Sequence, residues 1–179
     1  MDLPYKFSSK EINLRKIKIK DVNKLYVSWL NDKDVAKHTD LILNKHSLKS
    51  TREYVKLILN SKTNFLYGIF YITKSKKNIH IGNIKIGPIL RLHRTAQIGY
   101  IIGDKKFWNK NVGTIVIKKI KEICKKKHNI KKIYAGVSEL NKGSQKILLK
   151  NGFSLEGVFK THIIFKKKRY KLFQYGISV

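Results

Sequence analysis

Residues 95–153 switch from a two-residue hydrophobic period to a 3.6-residue one, and then repeat the switch; no other stretch restricts the fold so tightly. In 95–103 (TAQIGYIIG), Ala96, Ile98, Tyr100 and Ile102 share one face of a strand. The polar turn 104–111 (DKKFWNKN) follows, and 112–127 then sets Val112, Val116, Ile120 and Ile123 on one side of a helix. That helix has no acidic residue in its first turn. Its free amides and the positive end of its dipole therefore face Asn109, Lys110, Asn111 and Gly113, an arrangement suited to a phosphate or pyrophosphate. Gly and Lys also occur in many strand-to-helix turns for tight connection and solubility alone, so the turn by itself leaves both roles open. Residues 131–138 read as a buried strand, after which Asn141 caps a helix that ends at Asn151, Gly152 and Phe153.

Upstream, Ile12 and Leu14 alternate while Ile17 and Ile19 fall out of phase, which predicts a first strand interrupted by a bulge. Asp21 is expected to cap the next helix, with Val22, Leu25 and Trp29 on its inner face and Asn31 and Asp32 at its end. His38, Thr39 and Asp40 then occupy a polar loop, and 47–59 form a second amphipathic helix. Residues 65–73 and 79–86 read as a hairpin that is apolar on both faces, which places it inside a sheet covered by helices, and Gly87-Pro88 should end its second strand. After Phe153, residues 154–158, 162–165 and 171–177 give two or three more strands, with a basic turn at 166–169.

The chain of 179 residues carries 40 Lys and Arg against 11 Asp and Glu, a formal net charge of +29. Such a charge repels polyamines, aminoglycosides and Lys-rich tails, and favours nucleic acid, an anionic membrane or an anionic small substrate. Lys is spread over most segments beside abundant Ile and Asn, the pattern of an AT-rich coding sequence, so most of this charge reads as a solvated, compositional surface. Two clusters exceed that background: 118–132 and 166–171. The first lacks the interleaved aromatics of a single-strand binder, and nucleic acid is not the expected partner. The length fits one domain, residues 1–179, and no internal repeat is apparent. No apolar run approaches the roughly 18 residues that span a bilayer, and residues 1–10 lack the apolar core of a signal peptide, so a cytoplasmic protein is expected. Cys124, the sole cysteine, reads as a packing residue, and no metal-ligand cluster is visible.

The segments IGYIIGDKKFWNKNVGT (98–114), GVSELNKGSQKILLKNGF (136–153) and LEGVFKTHIIFKKKRYKLFQYGI (155–177) resemble the GNAT acetyltransferases, in particular their ribosomal-protein and amino-sugar branch. Leu14-Arg15 before Asp21 and WLNDKDV at 29–35 extend the resemblance over nearly the whole chain. It implies an α/β (α+β) fold: a mixed, mostly antiparallel sheet flanked by helices, splayed between its fourth and fifth strands so that the pantetheine arm of acetyl-CoA passes between them. It also implies that Ile98, Tyr100 and Ile101 offer the strand surface to the pantetheine, and that Lys110, Asn111, Val112, Gly113 and Thr114 hold the pyrophosphate. The family's Arg or Gln and first Gly in that turn are here Trp108 and Asn111; Asn tolerates a left-handed backbone better than other non-glycine residues.

By the same resemblance, Asn141 and Ser144 reach the pantetheine and its sulfur end, a role compatible with plain helix capping. Many members place a Tyr five residues before the Phe of the GF motif to protonate the departing thiolate; this chain has Leu148, so Ser144 is the expected acid. Glu139 could be the base, acting through water, or could pair with a nearby Lys. Trp29, His38 and Thr39 are the expected acceptor contacts, although His38 could equally be a solvated loop histidine. The reaction needs no metal. The charge and the WLNDKDV stretch favour a nucleotide-activated amino sugar as acceptor, with a protein N-terminus as the second enzyme reading and a non-catalytic basic binding module as the third. The strand-rich C-terminus could pair two copies into a homodimer.

Overall fold

The computed structural model describes residues 6–179; residues 1–5, part of the segment read above for a signal peptide, lie outside the described residues. Strands β1 (Ile12–Lys16), β2 (Phe65–Ile72), β3 (Asn78–Leu90), β4 (Thr95–Ile102), β5 (Lys132–Ser138), β6 (Ser154–Phe165) and β7 (Lys168–Ser178) form one sheet in the order β1-β2-β3-β4-β5-β7-β6. Helices α1 (Lys24–Asn31), α2 (Lys33–Ala36) and α3 (Leu48–Asn60) lie between β1 and β2 in the chain, α4 (Val112–His128) between β4 and β5, and α5 (Lys142–Lys150) between β5 and β6. All neighbouring strands run antiparallel except β4 and β5, which are parallel. The mixed, helix-flanked sheet expected from the sequence is the one observed.

The two-sided apolar character of β2 follows from the two cores that the sheet separates. Tyr67, Ile69 and Tyr71 point to the larger core with Val116, Ile117 and Ile120 of α4, whereas Leu66 points to a second core with Tyr26, Trp29, Leu30 and Val55. Ile117 and Ile120 are 0% exposed, and each contributes roughly 1.5–3 kcal/mol by leaving water. The phase change after Leu14 is not a bulge, because β1 pairs with β2 without a register shift. The strand ends at Lys16, and Ile17 turns into the second core.

Four further expectations are corrected. Asn23, not Asp21, caps α1 by accepting from the Tyr26 amide at 2.9 Å; Asp21 is drawn away by a two-pronged bond to Arg15, 2.7 Å on each prong. Leu25 is 52% exposed, and Tyr26, Trp29 and Leu30 form the inner face of α1. Gly87-Pro88 does not end β3, which resumes pairing with β4 at Ile89↔Ala96 after a register shift. The β6–β7 turn is the residue pair Lys166 and Lys167, both in the left-handed region.

The sheet parts at one place. β4 pairs with β5 only through Thr95↔Lys132, Ala96↔Ile133 and Gln97↔Tyr134. Beyond Gln97, β4 continues along β3 as far as Ile102↔Gly82, while β5 continues along β7 as far as Ser138↔Leu172. Residues 98–102 thus have no ladder partner on the β5 side. Trp29 braces the far end of this opening: its indole fills the space over Gly103, where a Cβ would overlap the ring, and it meets the His80 ring edge-on at 5.1 Å. Gly103→Ala should therefore cost about 1–3 kcal/mol through overpacking. Thermal or urea unfolding would register this as a lowered midpoint, and an unchanged midpoint would mean that Trp29 yields freely.

Candidate functional site

The parting of β4 from β5 opens a cleft of about 680 Å³. Tyr100, Ile101 and Ile102 line it from β4, Trp108, Asn111, Val112, Gly113 and Thr114 from the turn and the start of α4, and Leu140, Asn141 and Ser144 from the start of α5. A recess of about 100 Å³ reaches between 98–100 of β4 and 135–137 of β5, and shares His38, Thr39, Tyr100, Asn141 and Ser144 with the larger space. The structure thus brings together Ile98, Tyr100, Ile101, Asn111, Val112, Gly113, Thr114, Asn141, Ser144, His38 and Thr39.

Three of the residues expected at the site do not line it. Trp29 is 5% exposed in the second core, supporting the cleft from behind. Lys110 is absent from the walls, and its carbonyl accepts from the Phe7 amide at 3.2 Å, tying the N-terminal segment to the turn. The Glu139 carboxylate accepts the Lys171 amide at 2.7 Å, and the Glu139 amide donates to the Lys171 carbonyl at 3.0 Å. One oxygen of its carboxylate thus holds β7 to the end of β5.

The turn is built for exposed amides. Asn109 and Asn111 adopt left-handed conformations, with φ of 59° and 66°. Asn111 precedes α4 without capping it by its side chain, so no side chain competes for the first-turn amides. Trp108, at a position where the resemblance leads one to expect Arg or Gln, donates its indole N–H to the Ile102 carbonyl at 2.7 Å and closes the end of β4. Sequence reasoning treated Trp108 only as a changed signature position; a donor six residues beyond an unpaired strand end was the available signal.

Asn141 accepts from the Ser144 amide at 3.1 Å, so capping and cleft lining coexist in that residue. Across the cleft, the Tyr100 hydroxyl lies 3.3 Å from the Ser144 hydroxyl. The strand period seats Tyr100 among the core-facing residues, and burial holds its phenol above the ordinary value, partly offset by the bond to Ser144. Gly113 leaves room for this meeting, since a Cβ there would stand 2.7 Å from Ile147 Cδ1 and 3.5 Å from the phenol oxygen. His38 is held below the ordinary imidazole value, first by burial and then by Lys37, which favours its neutral form. The Thr39 hydroxyl is occupied, donating to the Ala36 carbonyl at 2.9 Å. Leu148 is 1% exposed at the base of the recess.

A strand edge without a partner, left-handed Asn111 and uncapped amides suit an extended amide-bearing ligand with a phosphate end, and acetyl-CoA has both parts. Residues 11–154 match the family model of the acetyltransferase (GNAT) domain. No curated protein matches by sequence. Among solved structures, the spermidine N-acetyltransferase of Vibrio cholerae in complex with CoA and spermine shares 16% identity over 94% of this chain and 96% of its own, with a TM-score of 0.82. The ribosomal L7/L12 α-N-protein acetyltransferase RimL in complex with coenzyme A shares 17% over 94% of each chain, at 0.81. An acetyltransferase (GNAT family) from Bacillus anthracis shares 23% over 94% and 95%, at 0.78. At these identities the likeness is one of fold.

Gly113→Asp should weaken CoA binding at least tenfold, about 1.4 kcal/mol, by setting a side chain and a negative charge against the phosphates. Asn111→Gly should preserve or tighten binding, because Gly adopts the left-handed backbone without penalty. Calorimetric titration with CoA distinguishes the two, and equal binding by Gly113→Asp would move the phosphate site elsewhere.

Proposed function

The chain belongs to the GNAT family of acetyltransferases and is an acetyl-CoA-dependent N-acetyltransferase, and we propose that its acceptor is the amine of a nucleotide-linked amino sugar. The observation that supports this acceptor is the charge around the cleft. Lys6, Lys37, Lys142, Lys146 and Lys150 line it, and Asp34 is the one carboxylate among the described lining residues, sharing Lys105 with Asp32 at 2.8 Å. A polyamine would meet five lysines against one partly paired carboxylate, whereas the phosphates of a nucleotide sugar would be drawn in. The Vibrio protein binds spermine in the same fold, but its substrate carries the opposite charge from the one this cleft favours.

Acetyl-CoA supplies the acetyl group as a reactive thioester. In our reading, amides of 98–102 hold its extended arm and polarise the carbonyl, and amides of 111–114 hold its phosphates. His38, shared by both spaces and held below the ordinary imidazole value, takes the proton from the amine, while one oxygen of Glu139 is engaged by the Lys171 amide; Ser144 faces the departing sulfur. A sugar amine beside electron-withdrawing oxygens is a weaker base than a Lys amine, so a neutral imidazole suffices.

The second reading, an acidic protein whose α-amine enters the cleft, is favoured by the β6–β7 arm. Residues 160–171 run beyond the end of β5 and carry Lys160, Lys166, Lys167, Lys168, Arg169 and Lys171, with no Asp or Glu after Glu156. The arm begins at Lys171, bonded to Glu139 two residues before Asn141. Val158, Phe159 and Ile164 are exposed along β6, the edge strand, where an extended polypeptide could lie.

Thiol release from acetyl-CoA should be fastest with a UDP- or dTDP-amino sugar in a panel that also holds acidic N-terminal peptides and polyamines. Turnover confined to peptides would select the second reading, and turnover confined to polyamines would overturn both. With the true acceptor, His38→Gln should lose about 10²-fold or more in kcat/KM at neutral pH. In the parent the rate should fall as His38 protonates, below about pH 6.5. Retention of the full rate by His38→Gln would assign the base elsewhere.

A further inference from the structure

From the meeting of the Tyr100 and Ser144 hydroxyls across the cleft, we infer that Tyr100 is a positioning residue that turns the Ser144 O–H toward the sulfur of the bound thioester; this rests on the acetyl-CoA site proposed above. Three observations carry it. The two oxygens lie 3.3 Å apart, and both side chains line the cleft and its recess. The Ser144 backbone is pinned independently, by the cap bond from its amide to Asn141. No bond from the Ser144 hydroxyl back to its own helix is present among the described residues, unlike Ser28, whose hydroxyl donates to the Leu25 carbonyl at 2.7 Å.

Either hydroxyl can donate in this pair; a phenol is the stronger donor, and in the arrangement inferred here Tyr100 donates and Ser144 accepts. The Ser144 hydrogen is then free to point into the cleft, and the bond it receives polarises it further. Burial keeps the phenol protonated across the working pH range, so the donor is always present. The phenol thus stands on the wall opposite α5, the helix that carries Ser144 and Leu148, and contacts the site through Ser144. In the transfer a nitrogen–carbon bond forms and the carbon–sulfur bond breaks with its electron pair on sulfur. The amine sheds one proton and sulfur takes up one, so the step balances without a co-reactant. Ser144 donates to the sulfur as that charge develops.

The test uses the full chain with CoA and needs no acceptor. The thiol of bound CoA is titrated by its ultraviolet thiolate absorbance in the parent, Tyr100→Phe, Ser144→Ala and the double variant, beside calorimetric CoA affinity at low pH and thermal melting. In the parent the titration midpoint should lie below that of free CoA. Tyr100→Phe and Ser144→Ala should each weaken thiolate binding about tenfold, moving the midpoint to higher pH. The double variant should match Ser144→Ala, because Tyr100 acts only through it. With the acceptor found by the panel, kcat should fall in Tyr100→Phe while KM for acetyl-CoA holds.

A Tyr100→Phe protein with the parent midpoint, an additive loss in the double variant, or a loss of CoA affinity equal at all pH would each overturn the inference, the last two assigning Tyr100 to packing. CoA binding with an unshifted midpoint in every variant removes Ser144 and Tyr100 from the sulfur and leaves the cofactor site standing. Absence of CoA binding by the folded parent removes that site and the inference with it.

Discussion

Main-chain amides and carbonyls inside a sheet are obliged to find partners, and in this protein the 98–102 stretch of an interior strand has no ladder partner on its β5 side. The cause is competition between neighbours. β4 follows β3 to its end, β5 follows β7 to its end, and the two lines agree only over three residue pairs. The cleft, the polar turn beside it and the capped start of α5 are arranged around that unpaired edge. Trp108 satisfies one carbonyl at its tip, and the rest faces the cleft.

Around the edge, small side chains matter as much as reactive ones. Gly103 admits the Trp29 indole behind the end of β4, and Gly113 lets α4 come close to Ile147 and Tyr100. Both glycines are packing solutions with consequences for chemistry: the first holds the end of the strand, and the second leaves the phenol within reach of Ser144. Asn111 solves a backbone problem instead, taking the left-handed conformation at the helix start so that the first-turn amides stay uncovered.

Charge acts at two ranges. Over the whole surface, +29 sets the sign of anything that approaches, and salt screens it beyond roughly 8–10 Å. Closer in, three carboxylates are paired: Asp34, on the cleft wall, shares Lys105 with Asp32, and Asp21, away from the cleft, is held by Arg15. The exposed Lys105 pairs contribute little to stability. Among the described residues the cleft is lined by Lys6, Lys37, Lys142, Lys146 and Lys150 against Asp34.

The succession of elements was legible in the residues because it depends on local periods and caps: the alternation at 96–102, the 3.6-residue repeat of α4, and the Asn141 cap are properties of adjacent side chains. The segments at 98–114 and 136–153 likewise carried the family and, with it, most of the residues that line the cleft. What the chain order could not supply were contacts between distant residues. Asp21 looked like a cap until Arg15 claimed it, and the bond that the Glu139 carboxylate accepts from the amide of Lys171, 32 residues away, had no local signal. Trp29 sat on the expected inner face of its helix, yet that face meets the second core and not the cleft. The Tyr100–Ser144 contact spans 44 residues across the place where the sheet parts, so tertiary structure alone decided which hydroxyl meets Ser144. Local sequence determines which element forms, through backbone sterics and hydrophobic period, whereas hydrogen-bond partners across the fold are chosen by whichever distant groups packing brings within reach.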